Sequence, residues 1–167
     1  QSASWARSDW YKGQALVSNA MQDSDMWRVN VLATRNLIEA AKEHKVRRFV
    51  QISSVVAYGN SAEGELDESQ PVHADGGSYV LTKLASEHVV LGAQANDDIE
   101  VVVLRPGDAY GPGSRPWIIA PLEAIAKNQF MLPAKGEGFF RPIYIDDLVR
   151  GIVMAASHPD AAGEIFN

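Results

Sequence analysis

Apolar positions first recur with a helical period between about Asp25 and His44. Trp27, Val31, Thr34 and Ile38 follow at spacings of three and four, and Val29, Ala33, Leu37 and Ala41 repeat the pattern on the adjoining stripe. Two stripes exceed what a helix needs to cover one core, so this helix is expected to have two partners. Asp23 or Ser24 can cap its start. The period changes at Val46–Ile52, a short β-branched and aromatic run that predicts a strand. Ser53–Asp75 is polar and holds Gly59, Gly64 and Pro71, so it reads as a long loop, a feature usually tied to function in a compact domain. A second helix is predicted over 78–94. Glu100–Arg105 (EVVVLR) is a near-continuous apolar run, as in a strand buried on both faces. Three Pro and three Gly make 106–116 an irregular loop. A third helix is predicted over 117–127, short strands at 131–132 and 139–144, a helix capped by Asp146 or Asp147 and running to Ser157, and a last strand in 163–167.

Strand, long loop, helix, strand, loop, helix is the order of parallel βαβ units. The predicted class is therefore α/β, a Rossmann-like parallel sheet with flanking helices. Chemistry in such sheets lies beyond the C-terminal strand ends, and the loops 53–75 and 106–116 both begin there. Residues 1–24 carry no clean period and read as an atypical loop-like segment, with a short helix, ahead of one domain over 25–167.

Composition narrows the function classes. The chain has 167 residues, 46% hydrophobic and 22% charged, as in a globular domain. The net charge of -6 argues against a nucleic-acid partner, which would need a basic face. The lack of cysteine removes disulfides, thiolate metal sites and a Cys nucleophile, and fits a reducing, cytoplasmic setting. No apolar run approaches the roughly 18 residues of a membrane span. The opening Gln1–Trp5 has no basic or apolar leader pattern, and without a Met at position 1 the chain is expected to be processed, trimmed or incomplete.

Ser54, Tyr79 and Lys83 carry the candidate chemistry. Ser54 closes the first strand, and Tyr79 and Lys83 lie at i and i+4 on the next helix, on one face about a turn apart. An ammonium beside a phenol favours the phenolate, and a Tyr lowered from its usual value near 10 can serve as acid or base near neutral pH. Ser54 could hold a substrate hydroxyl or carbonyl against it. Moving a proton on a carbinol oxygen requires moving a hydride too, which no side chain stores, so a nicotinamide is implied. A Tyr and Lys at this spacing also occur as a plain solvated pair. His44, His73, His88 and His158 show no metal-ligand spacing, so no metal is assigned. Asp67, Glu68 and Asp75 read as a solvated acidic loop, and Gly107, Gly111 and Gly113 as turns, since no G-K-[ST] follows.

Five ordered segments resemble the extended short-chain dehydrogenase/reductase superfamily, in its NAD-dependent epimerase/dehydratase group. They are 27–37 (WRVNVLATRNL), 50–59 (VQISSVVAYG), 78–83 (SYVLTK, matching Y-x-x-x-K), 104–113 (LRPGDAYGPG) and 142–149 (PIYIDDLV). In the first, Ala33 stands where the pattern has Gly. The resemblance covers about 26–167 and implies an NAD(P)-dependent oxidoreductase, epimerase or dehydratase acting on a small-molecule carbinol or carbonyl. It makes Tyr79 the acid/base and Ser54 the substrate-orienting residue, and has Lys83 bind the nicotinamide ribose. It also places Asn30, Ser53, Pro106 and Tyr79 itself at the cofactor. Asn30 can equally satisfy backbone, and Arg105-Pro106 can simply end a strand.

The resemblance also marks departures. Many sugar-nucleotide members bind phosphate with an Arg where this chain has Phe140, Arg141 being one residue off and so on the other strand face. Phe139 and Phe140 suit a flatter, apolar substrate or a core. The family's Gly-rich phosphate loop, held at a helix N-terminus, has no counterpart here, so the chain reads as the C-terminal part of a doubly wound fold. The choice between NAD and NADP is then open. The alternative function is a truncated, catalytically incompetent structural or interaction module, its sheet edge covered by residues 1–24 or a partner. The resemblance further implies a homodimer through helices 26–44 and 78–94.

Overall fold

The computed structural model describes residues 22–59, 64–96, 98–131, 136 and 140–167. Three parallel strands form the main sheet in the order β1, β2, β5: β1 (Arg48–Ile52), β2 (Glu100–Leu104) and β5 (Ile165–Phe166). Arg48 to Ile52 pair in register with Glu100 to Leu104, and Val103 and Leu104 with Ile165 and Phe166. A separate parallel ribbon joins β3 (Asp108–Tyr110) to β4 (Pro142–Tyr144).

The apolar run of β2 explains the layering. Successive strand side chains point to opposite faces, so a run buried throughout needs cover on both. Val101 and Val103 enter one core with Ile38, Val90, Ala93 and Ile99. Those partners come from α2 (Ala33–Glu43), α3 (Ser78–Ala95) and the approach to β2. Val102 and Leu104 enter a second core with Ala155 and Ala161, beneath α5 (Ile145–Ser157). The result is a Rossmann-like α/β/α sandwich, as the element order predicts. Among the described residues β1 pairs with β2 alone.

The first long helix is interrupted. α1 (Asp23–Trp27) passes into a π-helical turn (Arg28–Leu32) and then into α2. Its N-cap is Gln22 with no side-chain cap, so neither Asp23 nor Ser24 caps it; both lie inside the first turn, where their position suits a carboxylate or small polar residue. Of its two stripes, Val31 and Ile38 are buried while Leu37 is open.

The loop predicted over 106–116 contains β3, made possible by Gly107. A Cβ there would lie 2.1 Å from the Arg141 carbonyl oxygen, so only glycine admits the close approach of 141 to 107. The third helix starts earlier than predicted, as a π-helical turn (Arg115–Ile119) leading into α4 (Ala120–Ala126). Strand β4 is confined to 142–144. Phe139, Leu132 and residues 1–21 lie outside the described residues, and Met131 is not in a strand. α5 starts at Ile145 with Tyr144 as N-cap, so Asp146 and Asp147 occupy its first turn instead of capping it.

Candidate active site

β1 ends at Ile52, and the chain turns through Ser53 and Ser54 into a 3-10 turn (Val55–Tyr58). The turn is tied to the neighbouring strand end: Ser53 N–H donates to the Leu104 carbonyl at 2.7 Å and Val55 N–H to the Pro106 carbonyl at 3.1 Å. Ser54 has extended backbone and accepts weakly from Val56 N–H at 3.4 Å, which leaves its hydroxyl proton free to donate. α3 then brings Tyr79 and Lys83 over this turn. Lys83 Nζ donates to the Ile52 carbonyl at 3.1 Å and lies 5.8 Å from the Tyr79 ring centroid. The structure thus gathers Ser54, Tyr79 and Lys83 at the C-terminal end of β1.

The electrostatics differ from the sequence expectation. Burial pushes the Tyr79 phenol above its usual range; a hydrogen bond from Ser54 opposes this, and the Asp108 carboxylate adds to it. Lys83 is held below the usual ammonium range by burial, opposed by the Glu87 carboxylate. Desolvation disfavours the charged form of each, and here it outweighs their nearness.

The other predicted site residues fall in different surroundings. Asn30, in the π-helical turn, is buried and donates from Nδ2 to Thr82 Oγ1 at 3.0 Å; Thr82 in turn donates to the Tyr79 carbonyl at 3.1 Å. It therefore braces the turn of α3 that bears Tyr79. Ser53 is 3% exposed, and its Oγ has no hydrogen-bond partner. Pro106 faces the other side of the sheet, lining a cavity of about 420 Å³ with Leu104, Ile143, Leu148, Met154 and Phe166 beneath α5.

Two features escape sequence reasoning. One is Asp108, the first residue of β3, hidden in a stretch that reads as irregular; its place just past a strand end is the available signal. The other is a buried polar network. Arg105 forks onto Glu87 at 3.2 and 2.8 Å and donates to the Tyr58 hydroxyl at 3.0 Å. The Tyr58 hydroxyl lies 2.8 Å from Asn167 Oδ1, and Asn167 donates to Leu66 O and Glu68 Oε1. The acidic loop is thus partly engaged: Glu68 holds Asn167, and Asp67 Oδ1 accepts from the Ser69 backbone at 2.9 Å. Glu87 extends the helix series 79, 83, 87, a spacing that points to it. Among the described residues no group of three His, Asp or Glu is placed to hold a metal ion.

The fold is that of the short-chain dehydrogenase/reductase enzymes. Residues 12–167 match the NAD dependent epimerase/dehydratase family, and the chain belongs to it. It is 33% identical over 143 residues to a dTDP-glucose 4,6-dehydratase of Streptomyces niveus, covering 84% of this chain and 42% of that protein. It is 32% identical over 153 residues to a decarboxylating sterol-4-alpha-carboxylate 3-dehydrogenase of Candida albicans, covering 83% and 43%. The UDP-glucuronic acid 4-epimerase of Bacillus cereus, solved with UDP-glucuronic acid and NAD, superposes with a TM-score of 0.71 at 28% identity, covering 83% of this chain and 45% of that one. The chain thus spans somewhat under half the length of these relatives.

Proposed function

We propose that this chain carries the proton-transfer part of an NAD-dependent oxidoreductase, epimerase or dehydratase site, acting on a small molecule with a secondary carbinol or a carbonyl. The observation that supports it is the convergence of the Ser54 hydroxyl and Lys83 ammonium on one half-buried phenol at a parallel-sheet strand end. Held protonated, Tyr79 donates its proton to a carbonyl oxygen and recovers it from a carbinol. Ser54, which gives its hydroxyl proton to the phenol here and not to the backbone, turns it to the same substrate oxygen and orients that oxygen against the phenol. Lys83 uses one of its three donors on Ile52 and keeps the others for ligand hydroxyls.

The residues present fit the nicotinamide-ribose end of a dinucleotide. Ser53 offers a buried hydroxyl without a partner, Lys83 unspent donors, and Asn30 and Pro106 lie on the elements framing the strand ends. NAD, carried by the solved epimerase, would supply and accept the hydride. A homodimer through 26–44 and 78–94 and a cytoplasmic setting complete the reading; the cysteine-free composition suits the latter.

The test titrates the intact chain with NAD and NADP by tryptophan emission and assays hydride transfer. Saturable binding is expected, with Tyr79→Phe lowering turnover by about 10²–10⁴-fold while nucleotide affinity stays. An intact chain that shows no quenching at millimolar nucleotide favours the other reading, a structural or interaction module.

A further inference from the structure

We propose that Gln51 and Ser86 are positioning residues for Lys83: they hold the helix turn that bears it at a fixed distance from β1, so that its ammonium stays at the strand end. This rests on the reading of Lys83 as the donor to ligand hydroxyls and adds two residues to it.

β1 has two different faces. Val50 and Ile52 pack into the core beneath α5. Phe49 packs into the other core, with Ile38 and Val90. Successive strand side chains alternate, so Gln51 shares the side of Phe49 and points at α3. It is polar yet only 8% exposed, and Ser86, its partner on α3, is 1% exposed. Burying an amide and a hydroxyl is costly unless each is hydrogen-bonded. A leucine and an alanine would occupy these places without needing partners.

The bonds of this pair run in one direction. A carbonyl oxygen only accepts, so the single Ser86 proton goes to the Lys83 carbonyl, at 2.7 Å. Ser86 Oγ then has only lone pairs left for Gln51, whose Nε2 donates to it at 3.1 Å. A hydroxyl bonded back to its own helix is ordinary. The amide arriving from a strand turns that bond into a tie between two elements. Lys83 is thereby fastened to β1 twice. Its carbonyl is held through Ser86 by Gln51, and its ammonium donates at 3.1 Å to the carbonyl of Ile52, the next residue of the strand. A lysine stem is flexible, and left to itself it carries the ammonium out to water. Fixing its backbone end opposite Gln51 keeps the Ile52 carbonyl within reach. One turn earlier, Asn30, Thr82 and the Tyr79 carbonyl repeat the same order of amide, hydroxyl and carbonyl. Each turn of α3 that presents one of the paired residues is thus held by a buried amide.

The test observes the Lys83 ammonium in the 167-residue chain by proton–nitrogen NMR, its resonance assigned through Lys83→Arg. Held on a backbone carbonyl, the ammonium should exchange slowly and give a sharp signal. Ser86→Ala and Gln51→Leu should each abolish that signal. Both should also move the Lys83 titration up toward that of a free lysine, because an ammonium released to water escapes the burial that lowers it. Ser86→Thr keeps the hydroxyl and should keep the signal. Val90→Ala hollows the adjoining apolar core without touching either bond; it should lower the melting temperature and leave the signal in place. Lys83 exchanging as fast as the surface lysines in the unaltered chain would overturn the proposal. So would a signal that survives Ser86→Ala or Gln51→Leu, or one lost equally in Val90→Ala. The signal is read without nucleotide, so a chain that binds no NAD leaves this test intact. Lys83→Met probes the underlying reading separately. Unchanged NAD affinity in that variant rejects Lys83 as a ligand donor; weakened affinity with no effect of the changes at 51 and 86 rejects the positioning alone.

Discussion

Tyr79 feels burial and two neighbours, which pull in different directions. Burial and the Asp108 carboxylate keep its phenol protonated, and the Ser54 hydroxyl favours the phenolate. Removing the carboxylate's charge while keeping its shape should ease ionisation. Asp108→Asn is therefore expected to move the Tyr79 titration to lower pH, read as phenolate absorbance in difference from Tyr79→Phe. An unmoved titration would show that Asp108 does not face the phenol. The same shift bears on stability. A phenol whose folded value is raised stabilises the fold fully below about pH 10, and that contribution fades as pH climbs through the folded value. Asp108→Asn should narrow that window. Lys83 has the opposite sign, since its depressed folded value makes stability rise with pH as the range of free lysine is approached. Ser54, Tyr79 and Lys83 were legible in the sequence because helix spacing and a strand end are local properties. The direction of the Tyr79 shift was not, because burial belongs to the folded molecule.

At the scale of elements, α3 carries Tyr79, Lys83 and Glu87 on successive turns, and Arg105 at the end of β2 locks onto the last of them. Both side chains of that pair are almost fully enclosed, at 4% and 2% exposure. Charges so placed are costly unless paired, so removing one partner leaves the other uncompensated. Glu87→Gln is expected to lower stability by about 3–5 kcal/mol in urea unfolding. Adding Arg105→Met should return part of that loss, because the orphaned guanidinium is then gone. If the two substitutions cost the same separately as together, the charges do not depend on one another and this account fails. The lock matters for the site because Arg105 precedes Pro106, whose carbonyl holds the turn after Ser54. The β-branched run of β2 made that strand and its two-sided burial readable. β3 was not readable, because its pairing depends on the approach of 141 to a glycine distant in sequence.

For the whole molecule the open question is what covers the outer surface of the helical layer on the α2 side. Leu37 is 61% exposed, with Trp27, Leu32 and Leu81 between 43% and 45%. They lie on α1, the π-helical turn, α2 and α3, elements that pack on one another and share one face of the sheet. Part of the second apolar stripe seen in the sequence thus faces outward, as a helix with two partners requires. A second copy is the simplest cover. A two-fold interface brings the same patch to itself, so each residue counts twice. Burying one Leu side chain contributes about 1.5–3 kcal/mol, and four large residues per copy exceed what ordering their rotamers costs. Light scattering at tens of micromolar should therefore report a dimer, with a melting temperature that rises with protein concentration. Leu37→Glu places a charge at the most open position of the patch; it should yield monomers and erase the concentration dependence, leaving the sheet cores unchanged. A monomeric wild-type peak would mean that this face is not self-complementary, and the outer stripe would then require a different chain to cover it.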